Sequence, residues 1–223
     1  MAVGVRKSYL AGKGYKWMSR SVLKVLIPVT IISITLLIAL VSVSLYTYHD
    51  RLTKTPVVEQ YFSKKVEQHR PLVEKYAEEY GVEDHVDVLM AMIMQESGGR
   101  GGDPMQSSES LCGEVNCITE PEESIKQGIA YFSKILDASD DDVELSVQAY
   151  NFGIGFVSYV DDQEESYDQD TIIEFSQKMY DEAEDQSKYT CLREEAEEYD
   201  ACYGDIYYAR DVMAYEQQFT KKN

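Results

Sequence analysis

The first pattern in the chain is a run with no alternation at all. From Val25 to Tyr48 the sequence VLIPVTIISITLLIALVSVSLYTY carries no charged residue. Its 24 residues exceed the roughly 20 that a helix needs to cross a bilayer core. Tyr46 and Tyr48 close it, where aromatic rings favour the membrane–water interface. The expected organisation is a basic tail over 1–24, a membrane anchor over 25–48, a stalk over 49–59 and one domain over 60–220. A signal peptide cleaved near Ser42-Val43-Ser44 is the competing reading. Its apolar core is typically about 7–15 residues, shorter than this run.

Beyond the stalk the spacing becomes helical. Segment 57–80 carries apolar residues at helical intervals, is broken or restarted by Pro71, and ends at Gly81, a plausible left-handed cap. Asp84 is placed to cap a helix running through Val88 to Gln95, with Gly98-Gly99 ending it. Ser107 to Glu120 reads as a loop. Pro121 opens EESIKQGIAYFSKIL, where Ile125, Ile129, Phe132, Ile135 and Leu136 share one face. Asp140, Asp141 and Asp142 precede VELSVQAYNFG, acids at a helix start as the macrodipole favours. Helical stretches over about 170–184 and 205–219 follow. No β-alternating segment of useful length and no internal repeat appears, so the expected fold is all-α.

Charge adds an orientation. Arg6, Lys7, Lys13, Lys16, Arg20 and Lys24 precede the uncharged run, and all 40 acidic residues follow it. Positive charge stays inside, which puts the tail in the cytoplasm and the domain outside a single-pass anchor. The net charge of −19 is therefore more negative still in the outer part, which should repel nucleic acid and anionic headgroups. Cysteine usage agrees. All four cysteines lie beyond the run, and the sequence-local pairing is Cys112–Cys117 with Cys191–Cys202 in an oxidising compartment. A zinc site is not expected, since there is no C-x-x-C and His49, His69 and His85 all lie upstream.

One residue stands out chemically. Val88, Leu89, Met90, Met92, Ile93 and Met94 make a helix apolar on nearly every side, and Glu96 ends it. A carboxyl group there loses hydration and sits among the unpaired carbonyls of a last helical turn. Both effects raise its pKa, as a general acid near neutral pH requires. The plainer reading is a glutamate that has simply reached water.

The neighbouring motifs decide between these. QESGG, PMQ, AYNFG and YARDV, in that order over about residues 60–218, resemble the motifs of the soluble lytic transglycosylase and goose-type lysozyme superfamily. GGDPMQSSES is similar, more narrowly, to the CwlT-type lysozyme-like domain of Gram-positive cell-wall hydrolases. The resemblance implies a lysozyme-like helical domain that cleaves peptidoglycan between N-acetylmuramic acid and N-acetylglucosamine, without cofactor or metal. It implies that Glu96 is the catalytic acid and that Met105-Gln106 line the sugar groove beside it. Tyr150-Asn151 would face the N-acetyl sugar at the cleavage point. Tyr208, opening Y-x-x-x-V, would bring its hydroxyl close to the acid. Ser97, Ser107, Ser108 and Glu109 are expected to shape or bind in the groove. Two departures from the family stand out: the short glycine-rich link between acid and Met-Gln, and the strong acidity of the domain.

Protonation of the leaving oxygen leaves the rest of the reaction open. A transglycosylase uses the substrate's own C6 hydroxyl and one carboxylate. A hydrolase needs a second, for which Asp103, Glu109, Glu114 and Glu120 are candidates. An inert glycan-binding or structural ectodomain of an envelope assembly, with unknown protein partners, is the alternative of another class. A cysteine peptidase is disfavoured, because every histidine precedes Glu96 and no thiolate–histidine pair is in prospect.

Overall fold

The computed structural model describes residues 28, 31, 33–42, 44, 64–162 and 167–220, in two units, Met1–Thr55 and Pro56–Asn223. The expected tail (1–24) and stalk (49–59) lie outside the described residues, as does much of the expected anchor (25–48). The described positions of the first unit are helical, with Ile31, Leu36, Leu37 and Leu40 exposed. Among the described residues no helix is long and apolar enough to cross a membrane.

Among the described residues the second unit is helical, with no strand. Its helices are α1 (Arg70–Tyr80), α2 (Val86–Glu96), α3 (Ser108–Cys112), α4 (Pro121–Ala138), α5 (Val143–Phe152), α6 (Gly155–Asp162), α7 (Gln169–Asp181), α8 (Glu194–Glu198) and α9 (Tyr208–Thr220). Pro71 stands in the first turn of α1, where its missing N–H forfeits no helical hydrogen bond, so it starts the helix. Gly81 ends α1 in the left-handed conformation, φ 73°, its N–H returning to the Ala77 carbonyl. Pro121 starts α4 in the same way, and the Asp142 carboxylate caps α5 by accepting from the Leu145 N–H. Asp84 does not cap α2. It lies in a 3-10 turn, Glu83–His85, that runs directly into the helix and leaves no extended residue from which a carboxylate could reach back.

Helix α2 is the centre of the first core. Val88 through Ile93 are all buried, between α1 and α9, and α9 is its most extensive partner. The predicted face of α4 packs there through Ile125, Ile129, Phe132 and Leu136. Burying a side chain such as Phe132 fully contributes on the order of 2–3 kcal/mol. Ile135, on the same stripe, turns into a second core formed by α5, α6, α7 and residues 196–206. There Phe152 meets Phe156 edge-on at 5.2 Å, and Phe156 meets Phe175 at 4.9 Å. Three short helices depart from the expected pattern: α3 lies inside the presumed loop 107–120, and α6 and α8 were not anticipated. Each is too short for periodicity to declare it: α3 is held by the carboxylate of Asp103 just before it, and α6 and α8 by packing into the second core.

Candidate active site

Glu96 is the last residue of α2, and the chain turns back sharply after it. Gly98 donates to the Ile93 and Met94 carbonyls at 3.1 and 3.0 Å. The Ser97 hydroxyl donates to the Pro104 carbonyl at 2.8 Å and accepts from the N–H groups of Gly99 and Arg100. Gly102 is pressed against the returning chain, where a Cβ would stand 2.0 Å from the Thr119 carbonyl oxygen.

Asp103 is the hub of the loop that follows. One carboxylate oxygen accepts from the Ser107 N–H at 2.9 Å and the Ser124 hydroxyl at 2.6 Å. The other accepts from the Ser108 N–H at 3.1 Å and its hydroxyl at 2.6 Å. Burial alone would raise its pKa, but these donors outweigh burial and hold the carboxyl below its usual range. The two backbone donors lie at the start of α3, which explains why a helix forms inside the presumed loop. Ser124 in turn accepts from the Met105 N–H at 3.0 Å, which ties α4 to the same centre. Gln106 is thereby held at φ 47°, an uncommon left-handed conformation, with its amide donating to the Asp103 carbonyl at 2.8 Å.

Across the cleft, α9 supplies the partner of the acid. The Tyr208 hydroxyl donates to Glu96 Oε1 at 2.6 Å. Its position depends on how α9 begins. The Gln148 side chain donates to the Asp205 carbonyl at 2.9 Å and accepts from the Ala209 N–H at 3.1 Å. Asn151 Oδ1 accepts from the Asp205 N–H at 2.8 Å. Arg193 bridges Asp205 and Asp211, each at 2.6 Å.

The carboxyl of Glu96 is raised to about 7. Loss of hydration is the main cause; the hydrogen bond from Tyr208 works the other way, and the charges of Asp103 and Asp205 add to the rise. Burial also pushes the hydroxyls of Tyr208 and Tyr150 well above the usual tyrosine value, so both remain donors. The carboxyl thus holds a proton near neutral pH beside a fixed neutral donor, which suits it to protonate a leaving oxygen.

A cleft of about 310 Å³ is lined by Glu96, Asp103, Gln106, Ser108, Glu109, Val115, Asn116, Tyr150 and Asn151. A second hollow of about 270 Å³ shares Gln106, Glu109, Tyr150 and Asn151 and continues to Tyr131 and Tyr203. Of the residues singled out in the sequence, Glu96, Gln106, Ser108, Glu109, Tyr150 and Asn151 therefore meet at one cleft. Tyr208 reaches the acid from behind. Met105 is fully buried and offers the cleft wall only its carbonyl, which accepts from the Tyr150 hydroxyl at 3.0 Å. Ser97 and Ser107 are buried and spend their hydroxyls on backbone carbonyls, so both act by shaping the wall. Glu114 and Glu120 do not line the cleft. Cys112–Cys117 and Cys191–Cys202 are both bonded as expected.

Sequence reasoning missed Ser124, Gln148, Asp205 and Gly128. Only a glycine leaves room at position 128: a Cβ would lie 2.7 Å from Met105 Sδ and 2.8 Å from the Tyr150 hydroxyl. Gly128→Ala is expected to displace both and to cost about 1–3 kcal/mol, read by urea denaturation, with a parallel loss of any activity that uses Tyr150.

Residues 63–216 match the Lysozyme-like family. The bifunctional muramidase/DL-endopeptidase CwlT of Bacillus subtilis (strain 168) is 48% identical over 112 residues, which cover 50% of this chain and 34% of that protein. The uncharacterized membrane protein YocA of the same organism is 32% identical over 175 residues, 76% of this chain and 77% of that one. The chain thus spans about a third of CwlT and about three quarters of YocA. In the crystal structure of an NLP/P60-family lipoprotein from Staphylococcus aureus subsp. aureus Mu50, the alignment has a TM-score of 0.59 at 36% identity. It covers 68% of this chain and 52% of that one. With a helical fold throughout its described domain and a family match that takes in the central helix, the cleft and α9, the chain belongs to the Lysozyme-like family.

Proposed function

We propose that the protein cleaves peptidoglycan glycan strands between N-acetylmuramic acid and N-acetylglucosamine, with Glu96 as the general acid. The observation that carries this is the Glu96 carboxyl, raised to about 7 at a polar cleft and held by the Tyr208 hydroxyl at 2.6 Å. The muramidase half of the name of CwlT points to the same substrate. Glu96 gives its proton to the glycosidic oxygen, which leaves as a hydroxyl, and positive charge develops at the sugar carbon. Gln106, Tyr150 and Asn151 orient the sugar rings.

A water then adds to that carbon and gives up a proton. Glu109 is our candidate base, because it is exposed on the cleft wall, whereas the carboxylate of Asp103 already serves several donors. That same commitment of Asp103 favours a second reading, lytic transglycosylation, which needs Glu96 alone. The anchor over 25–48 belongs to the proposal too, with the domain outside a Gram-positive cell. It is supported by the uncharged run, the basic residues before it, the two disulfides and the membrane-protein name of YocA.

The test is digestion of purified peptidoglycan by the full chain and by Glu96→Gln, with products read by mass spectrometry. Reducing ends one water heavier than the anhydro form mark a muramidase; 1,6-anhydromuramic ends mark a transglycosylase. No soluble product from the intact protein would leave the inert ectodomain as the better account. Tyr208→Phe gives a finer check. The lost hydrogen bond stabilised the charged carboxylate, so Glu96 should hold its proton to higher pH. The alkaline limb of kcat/KM against pH is expected to move upward, and an unmoved limb would count against the Tyr208–Glu96 pair.

A further inference from the structure

The disulfide loop beside the cleft has no role in the chemistry above, yet its tip is part of the wall. Among the described residues lining the cleft, Val115 is the one aliphatic side chain, and it is 67% exposed. The remaining lining is polar or charged, apart from the ring of Tyr150. Asn116 lies next to it at φ 61°, a left-handed conformation that asparagine tolerates better than most residues.

Three separate ties hold the base of this loop. Cys112 is bonded to Cys117. The Ile118 N–H donates to the Ser108 hydroxyl at 3.1 Å, and that hydroxyl donates to Asp103 at 2.6 Å. Thr119 packs on the bare backbone of Gly102. A tip held in this way presents Val115 and Asn116 to a ligand with little further ordering cost.

We propose that Val115 and Asn116 are specificity-determining contacts for the peptide arm that muramic acid carries on its lactyl ether. This rests on the glycan-cleaving function proposed above. An apolar side chain left in water at the lip of a polar cleft is complemented by an apolar group on an otherwise polar ligand. The peptide arm supplies methyl groups interleaved with amides, which match a valine beside an asparagine. An N-acetylglucosamine unit has no such arm. The Cys112–Cys117 bond acts as the positioning element for both contacts.

The experiment compares kcat/KM of the full-length protein on peptide-bearing glycan strands and on strands stripped of peptide. The ratio of the two is expected to fall about tenfold in Val115→Ser, the scale of losing one small apolar contact in a substrate pocket. The double variant Cys112→Ser, Cys117→Ser keeps Val115 and the ties at Ser108 and Gly102 but removes the covalent closure of the tip, and a fall in the ratio is expected with an unchanged helical circular dichroism spectrum. If the wild-type protein cleaves both substrates and Val115→Ser leaves the ratio unaltered, the inference falls while the glycan-cleaving function stands. A double variant with the wild-type ratio overturns the positioning role of the disulfide. If the wild-type protein cleaves neither substrate, the underlying function falls and the inference with it.

Discussion

Glu96→Gln is expected to lower glycan-strand cleavage by about three orders of magnitude, since a glutamine has no proton to give. The same substitution should stabilise the fold at neutral and alkaline pH. The folded carboxyl, at about 7, lies above the ordinary value of 4.5, so the folded state keeps a proton that the unfolded chain releases. The carboxyl costs nothing below 4.5, costs progressively more stability as pH rises through that window, and exacts the full penalty above about 7. Removing the titratable group removes a penalty on the order of 3 kcal/mol. Glutamine keeps an oxygen to accept from Tyr208, so the local geometry survives. Urea midpoints of the two proteins should coincide near pH 4 and separate near pH 8, the variant being the more stable. A Glu96→Gln protein that still cleaves, or one whose midpoint never rises above wild type, would show that this carboxyl is not the half-buried, desolvated acid argued for.

Asp103→Ala carries the largest expected loss of stability, on the order of 3–5 kcal/mol. The substitution leaves the Ser107 and Ser108 N–H groups and the Ser108 and Ser124 hydroxyls without their shared acceptor in a buried site. The pH sign is opposite to that of Glu96. The folded carboxyl of Asp103 lies below its usual range, so its stabilisation is present above the unfolded pKa and is lost as pH falls through the folded one. The wild-type protein should therefore lose this contribution in acid, whereas Asp103→Ala shows no such loss. Gln106 and the disulfide loop both hang from this hub, so activity should fall even where the variant remains folded. Measured stability within about 1 kcal/mol of wild type would mean that the serines find other partners and that Asp103 is not the organiser.

The outline of the domain was legible because the information is local. Helix starts at Pro71 and Pro121, the cap at Gly81, the apolar face of α4 and the enclosure of α2 follow from spacing within one or two turns. The sequence-local pairing of cysteines was also right. The short helices α3, α6 and α8 were not legible, because none is long enough to show a period and their support comes from outside the helix, such as Phe175 for α6 and Asp103 with the returning Ile118 for α3. The Asp84 cap failed for a related reason: a local preference for a capping residue cannot foresee a 3-10 turn running straight into the helix.

The site divides along the same line. That Glu96 ends an apolar helix, and that motifs bearing a glutamine, a tyrosine–asparagine pair and a second tyrosine follow in order, is a property of the chain by itself. Sequence alone thus determined the residue types available and the strain of a carboxyl at that helix end. Only the tertiary structure decided that Tyr208, 112 residues away, donates to that carboxyl, and that Asp103 is an organiser of serines rather than a free base. It also placed Ser97 and Met105 behind the cleft wall, and Ser107 at the adjoining hollow with its hydroxyl spent on the Ser124 carbonyl. The physical reason is range. Periodicity and capping act over about one helical turn, whereas a hydrogen bond of 2.6 Å requires two distant helices to be set in register by a third set of contacts, here Gln148, Asn151 and Arg193 at the start of α9.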